Sequence, residues 1–422
     1  MKTFNRLLVA TILWFCGPTV QAHQSLYQPL PDEVTPQLSA TGPQPVGAKT
    51  VTVVSAQHPQ LFSDQTKSRS LTLEVWYPSA SKGDRAVYEN VTRSHKKFRI
   101  EGQASRNTGI AQGQYPLVIL SHGYTGYRHL MFYLGEHLAS HGYIVAAIDH
   151  TDSTNLEVDF ASAPYAGFPS TLYNRARDQQ FTLDALTNDE FFAPYIAKGK
   201  AGLVGYSMGG YGLLSTLGGC YSFSAEAAAR FTGTQEPEQA AALAKRLNTC
   251  AAGQNAEAKP DKRWAAGVAL APWGGQNKVL SDTSLNSITT PVLYVAGDQD
   301  DISGYDGIRW LFRHTGSAGS QLLTLHNARH NIAGHPAPAN ARGNELDIGH
   351  YYEPAWDTQV LNNITEHFVL AMMNCHIKEH SQDCKMLEVT GDSNQTPQNG
   401  KTPEPWAGFD NRYSVGMSME HK

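Results

Sequence analysis

From residue 117 onward, apolar runs of strand length recur at intervals, and segments with helical periodicity fall between them. The runs cover residues 117–121, 144–148, 201–205, 266–270, 291–296 and 321–325. They are almost wholly apolar, as strands buried on both faces must be. Between them Leu130, Tyr133, Leu134, His137 and Leu138 repeat at i, i+3, i+4, i+7 and i+8, and Leu361, Ile364, Phe368 and Ala371 form a second stripe. Residues 175–186 and 208–217 also read as helices. Strand and helix in alternation predict an α/β fold, with a mostly parallel central sheet and helices on both faces. Two earlier runs, 51–54 and 71–77, are expected to pair as a meander at its edge.

Two segments interrupt the alternation. Residues 79–115 read as a long polar connection, with the charge run Arg93-Ser94-His95-Lys96-Lys97-Phe98-Arg99 as a solvated loop. Residues 219–263, rich in Ala, Gln and Glu, read as a helical cap insert that would limit which substrates reach a site below it. The expected organisation is therefore a leader over 1–22, a Pro-rich, loosely held stretch over 23–48, the main domain over 49–378 including the cap, and a C-terminal extension over 379–422.

The leader reads as a signal peptide: Lys2 and Arg6, an apolar run over 7–15, then Val20-Gln21-Ala22 with small residues where a signal peptidase cuts. The run is too short to span a bilayer, so the mature chain is expected to be exported, periplasmic or secreted, with no stable membrane anchor. Without the leader the formal net charge of −5 becomes about −7, and no basic surplus points to nucleic acid. Hydrophobic residues make up 41% of the chain and charged ones 17%, which fits a large buried core. Four cysteines remain, and an even number in an exported chain favours disulfides, with nearest neighbours paired: Cys220 with Cys250, and Cys375 with Cys384. Their spacings suit no zinc module, no metal or other cofactor is implied, and nothing fixes an oligomeric state.

The strand over 201–205 runs into Gly205-Tyr206-Ser207-Met208-Gly209-Gly210. A serine on a sharp strand-to-helix turn needs glycines two residues away on each side and presents its hydroxyl outward as a nucleophile; the alternative is an ordinary helix N-cap. Such a serine requires an imidazole base and a carboxylate to orient it, in the chain order serine, acid, histidine. The strand over 291–296 is followed by Asp298-Gln299-Asp300-Asp301, so the acid is Asp298, Asp300 or Asp301; a calcium loop that also includes Asp306 competes. The last strand leads into His326 and His330, with His335 close behind, and His330 is the expected base because it stands a few residues past the strand. Two backbone donors should hold an oxyanion: the N–H of Met208 at a helix N-terminus and that of Tyr124 in the loop Ser121-His122-Gly123-Tyr124-Thr125-Gly126. The Tyr124 ring would line the acyl pocket.

These motifs together resemble the α/β-hydrolase fold over residues 51–376. The run over 117–149 (LVILSHGYTGYRHLMFYLGEHLASHGYIVAAID) is similar to bacterial dienelactone-hydrolase-like and platelet-activating-factor-acetylhydrolase-like esterases, and to bacterial cutinases and polyester hydrolases. The resemblance puts the acid three residues after Gly297, at Asp300, and completes a Ser207, Asp300, His330 triad with Tyr124 and Met208 as oxyanion donors. Ala271-Pro272-Trp273 matches a substrate-contacting tryptophan of polyester hydrolases, which implies a substrate-binding role for Trp273. Serine stands where dienelactone hydrolases proper carry cysteine, and cutinases lack an insert like 219–263. The implied activity is cleavage of short-acyl or lipid-type carboxylic esters through an acyl-enzyme; the alternatives are a polyester hydrolase and a peptidase or amidase with the same triad. Partners would be small-molecule, lipid or polymer esters.

Overall fold

Side chains alternate across each central strand, and that alternation divides the core into two halves. Val118, Leu120, Val145, Ala147, Val204 and Val268 point to one face of the sheet. Leu117, Ile119, Ile144, Ala146, Leu203 and Ala269 point to the other. Burial on both sides explains why these runs contain almost no polar residue.

The computed structural model describes residues 26–27, 30–394, 401, 404–409 and 414–422. The expected signal peptide over 1–22 lies outside them, as does part of the polar tail. The strands are β1 (Val46–Pro59), β2 (Thr66–Pro78), β3 (Arg85–Val91), β4 (Lys97–Arg106), β5 (Tyr115–Ser121), β6 (Ile144–Asp149), β7 (Ile196–Tyr206), β8 (Trp264–Leu270), β9 (Val292–Gly297), β10 (Gln321–Leu325), β11 (Gly391–Asp392) and β12 (Met417–His421). They form one 12-stranded sheet in the order β11-β12-β10-β9-β8-β7-β5-β6-β2-β1-β4-β3. The centre, from β6 to β10, is parallel. Antiparallel pairing attaches β2 to β6 and β12 to β10.

The helices are α1 (Phe132–Ser140), α2 (Phe168–Thr187), α3 (Met208–Thr216), α4 (Ala225–Thr232), α5 (Pro237–Leu247), α7 (Tyr305–His314) and α9 (Thr358–His376), with single turns α6 (Asp282–Leu285), α8 (Glu345–Ile348) and α10 (Ser381–Cys384). Residues of α1 and α9 join one core, and residues of α2, α3 and α7 the other. No helix among the described residues is long and apolar enough to cross a membrane.

Three expectations need correction. The segment 79–115 is not one polar connection, because β3 and β4 pair within it as an antiparallel hairpin. Its charge run is not simply a solvated loop: Phe98 is in the core, Lys97 and Arg99 point outward from β4, and Arg93 turns toward the interior. The Pro-rich stretch is not loosely held where it is described. Gln37 N–H donates to the Gly408 carbonyl, Leu38 N–H to His367 Nδ1 and Gly42 N–H to Ser140 Oγ, and β1 begins at Val46.

Both cysteine pairs are bonded, Cys220 to Cys250 and Cys375 to Cys384. The first spans the insert that carries α4 and α5; the second ties α9 to α10.

Candidate active site

Ser207 stands between β7 and α3 with φ 52° and ψ −111°, a conformation that side-chain-bearing residues rarely adopt. The glycines around it are required by contact. A Cβ on Gly205 would lie 2.3 Å from the Gly209 carbonyl oxygen, and one on Gly209 would lie 2.0 Å from that of Ser121. Strand, turn and helix can therefore approach closely enough to fix the serine only with glycine at both positions.

Ser207 Oγ is 3.0 Å from His330 Nε2, and His330 Nδ1 is 2.9 and 3.1 Å from the two Asp300 carboxylate oxygens. With the ring proton on Nδ1 donated to Asp300, Nε2 is free to accept the serine proton. Asp300 Oδ1 also accepts from the backbone N–H groups of Ile302 and Ser303, at 2.9 and 2.8 Å. Burial alone would raise this carboxyl, but His330 and the two N–H donors outweigh it and hold Asp300 below the usual carboxylate range.

The other candidates diverge. Asp298 accepts from Asn327 N–H and faces His326, and Asp301 pairs with Arg329 at 2.7 Å. His335 is fully buried between Tyr127 OH and the Pro336 carbonyl, and burial lowers it to about 4. The aspartates thus point to three different partners. Among the described residues no group of three or more His, Cys, Asp or Glu could hold a metal ion.

Ser207 and His330 open onto a cavity of about 950 Å3. Tyr124, Met208 and Trp273 line it as well. Met208 begins α3, so its N–H has no intrahelical acceptor. Trp273 is tied to the serine turn, its backbone N–H donating to the Ser207 carbonyl at 3.1 Å. Its ring meets Phe168 and Phe231 edge-on, at centroid distances of 5.5 and 5.4 Å. Tyr124 packs edge-on against the same Phe168 and accepts from Gly167 N–H. Phe231 belongs to α4, so the insert supplies one wall of the cavity.

A second serine, histidine and aspartate set lies behind the loop that carries Tyr124. Ser121 Oγ is 2.8 Å from His150 Nε2, and His150 Nδ1 is 2.9 Å from Asp178 Oδ2. It has the distances of a catalytic triad without access: all three are buried, and none lines the cavity. Gln179 Nε2 bridges Ser121 Oγ and the Gly209 carbonyl, both at 2.9 Å, while Arg69 grips Asp178 with two bonds of 2.8 Å. This network fastens the ends of β5 and β6 to α2 and α3 and so braces the serine turn. Sequence reading missed it, although Arg175, Asp178, Gln179 and Thr182 form a buried polar stripe at helical spacing in α2.

Residues 36–166 match the family model described as platelet-activating factor acetylhydrolase, isoform II. Bis(hydroxyethyl) terephthalate hydrolase from Streptomyces coelicolor is 32% identical over 107 residues, covering 25% of this chain and 30% of that protein. Platelet-activating factor acetylhydrolase from Cavia porcellus is 43% identical over 65 residues, covering 15% of each. Cutinase 2 from Thermobifida cellulosilytica is 35% identical over 102 residues, 24% of this chain and 33% of that one. The chain thus spans a third or less of the length of each of these curated relatives. A solved ferulic acid esterase from Streptomyces cinnamoneus superposes with a TM-score of 0.53 at 20% identity, over 81% of this chain and 93% of the other. That likeness and the sheet order give the chain the α/β-hydrolase fold, as the sequence resemblance implies.

Proposed function

We propose that this protein is an exported serine esterase that cleaves carboxylic esters, of short-acyl or lipid type, through an acyl-enzyme. The observation that carries the reading is the hydrogen-bonded chain Ser207, His330, Asp300 at the mouth of a cavity. The relatives' names, an acetylhydrolase, a terephthalate hydrolase, a cutinase and a ferulic acid esterase, agree with it. Two disulfides and the signal-like segment over 1–22 support export, which amino-terminal sequencing of the secreted or periplasmic protein checks: the expected first residue is His23.

In this mechanism His330 Nε2 takes the Ser207 proton as Oγ attacks the carbonyl carbon, and Asp300 steadies the imidazolium. The N–H groups of Met208 and Tyr124 receive the oxyanion, with the N-terminus of α3 adding its dipole. His330 returns the proton to the leaving alkoxide as the C–O bond breaks. It then deprotonates a water that attacks the acyl-enzyme, and the acid leaves with Ser207 reprotonated.

Ser207→Ala should reduce turnover of 4-nitrophenyl butyrate by roughly 10⁴-fold or more, with circular dichroism unchanged. It should also abolish labelling by a fluorophosphonate, even though Ser121 and its own histidine remain. Wild-type turnover or labelling in this variant would overturn the assignment. The similarity to a terephthalate hydrolase and cutinases motivates a second reading, a polyester hydrolase. An acyl-length series run beside a polyester film separates the two: film erosion favours the polymer reading, and preference for two to four acyl carbons without erosion favours small esters.

A further inference from the structure

The cavity carries an arginine that the proposed chemistry does not use. Arg93 lines the same space as Ser207, and among the described residues its side chain makes no hydrogen bond or ion pair. Its Nε is buried with no partner. The guanidinium lies over the Phe160 ring, 4.2 Å from its centroid, a contact that does not neutralise its charge. Around it are the phenols of Tyr206, Tyr351 and Tyr127 and the carboxylate of Asp347. Asp347 is already engaged: Ser94 donates to it through N–H and Oγ at 2.8 and 2.6 Å, and Lys96 pairs with it at 3.3 Å. Those bonds anchor the turn that follows Arg93.

Arg93 is half-buried, with its Nε shut off from solvent, and native proteins rarely shield even part of a cation without a counter-ion, because the lost hydration is not repaid. Burial pushes the Arg93 pKa down, the direction expected of an uncompensated charge. The other charged residues lining the cavity do not supply the missing anion. Arg329 is exposed and paired with Asp301, the one carboxylate in the lining, and Arg230 is exposed over the Phe231 ring. The space before the serine is therefore cationic although the whole chain is net negative at −5.

We infer that Arg93 is a specificity residue that binds an anionic oxyacid group, carboxylate or phosphate, on the ester substrate. A planar guanidinium stacked on an aromatic ring offers paired N–H donors matched to two oxygens of such a group. This rests on the esterase reading and adds that the preferred ester carries a second, negatively charged group away from the scissile bond.

The test compares matched esters. The 4-nitrophenyl monoester of glutaric acid is set against neutral 4-nitrophenyl butyrate, and 1-butyrylglycerol 3-phosphate against 1-butyrylglycerol. The wild-type protein should favour the anionic member of at least one pair in kcat/KM by roughly ten-fold, the scale of one charge-assisted contact. Arg93→Gln should remove that ratio and Arg93→Lys should keep part of it; the pair that responds tells carboxylate from phosphate. Ratios equal in wild type and Arg93→Gln for both pairs would overturn the inference while leaving the esterase standing. In parallel, calorimetry measures glutarate and inorganic phosphate binding to Ser207→Ala with and without Arg93→Gln. Binding lost only with Arg93→Gln, alongside a wild-type protein that turns over no ester, would sink the esterase reading and keep the anion site. Binding unchanged by Arg93→Gln would count against the site.

Discussion

Asp300 illustrates how one carboxylate among several comes to serve a histidine. Asp298 and Asp301 are two residues before it and one after, yet they turn to Asn327 and Arg329, while Asp300 alone faces His330. What selects it is the backbone: the N–H groups of Ile302 and Ser303 fold back onto Oδ1 and leave Oδ2 for the imidazole. Because its folded pKa is lowered, Asp300 is ionised throughout the neutral range. Its contribution to stability is present above the unfolded carboxylate value and lost as pH falls through the folded one. Asp300→Asn keeps the shape but offers a donor where the Nδ1 proton needs an acceptor, which favours the wrong tautomer. Turnover of a neutral ester should fall by about 10⁴-fold with little change in melting temperature, as steady-state kinetics and thermal melts will check. Asp300 could be narrowed to only by family resemblance, since three aspartates in four residues are equivalent until the chain has turned. His330 was legible from its place after the last strand. Arg93 was not: in a run of charges nothing distinguishes the one cation that lines the cavity.

At the scale of elements, the insert between α3 and β8 has little sheet to rest on. Its helices α4 and α5 pack on each other, and Cys220–Cys250 closes the segment at both ends over a sequence separation of 30. On the chain-entropy model such a loop contributes roughly 3 to 4 kcal/mol. Phe231 of α4 touches Trp273 and Phe168, so loosening the insert should also loosen the cavity wall. Replacing both cysteines by serine should lower the unfolding free energy by roughly that amount and raise KM for bulky acyl groups more than for acetyl. Denaturant titration and an acyl-length series are the measurements, and an unchanged profile would show that the insert does not shape selection. The β3–β4 hairpin teaches a related lesson about legibility. Phe98 and Ile100 alternate with Lys97, Arg99 and Glu101, and Ala86 and Tyr88 alternate with Arg85 and Glu89, so period-two burial was present in the sequence. Dense charge on the outward face made it resemble a solvated connection. β12 was harder to see, because five residues with two inward methionines become a strand only against β10.

Across the whole molecule the fold was more legible than its polar interior. Apolar runs declare their burial in their composition, whereas a buried histidine looks the same in sequence as an exposed one. Ten of the 17 histidines, His58, His122, His129, His137, His141, His150, His335, His350, His367 and His376, have their pKa lowered, in each case chiefly by burial. For His150 and His367 the value falls to about 3. Such groups bind protons less tightly in the folded protein than in the unfolded chain. Below the ordinary imidazole value the unfolded chain therefore binds more protons, and stability must fall as pH falls. Glu136, Glu353 and Glu366 act in the opposite sense, because burial raises their carboxyls and the folded state holds those protons more tightly. They are fewer, and their unfolded counterparts titrate lower, so the histidines dominate from about pH 6.5 downward. Each fully linked histidine removes about 1.4 kcal/mol per pH unit, so a few acting together would exhaust the stability of an ordinary domain within two units. The melting temperature should hardly change between pH 8 and about 7 and then drop steeply toward pH 5, with proton uptake on unfolding measurable by calorimetry in buffers of different ionisation enthalpy. A melting temperature constant across that range would mean that these rings are hydrated or paired in ways that burial alone does not describe.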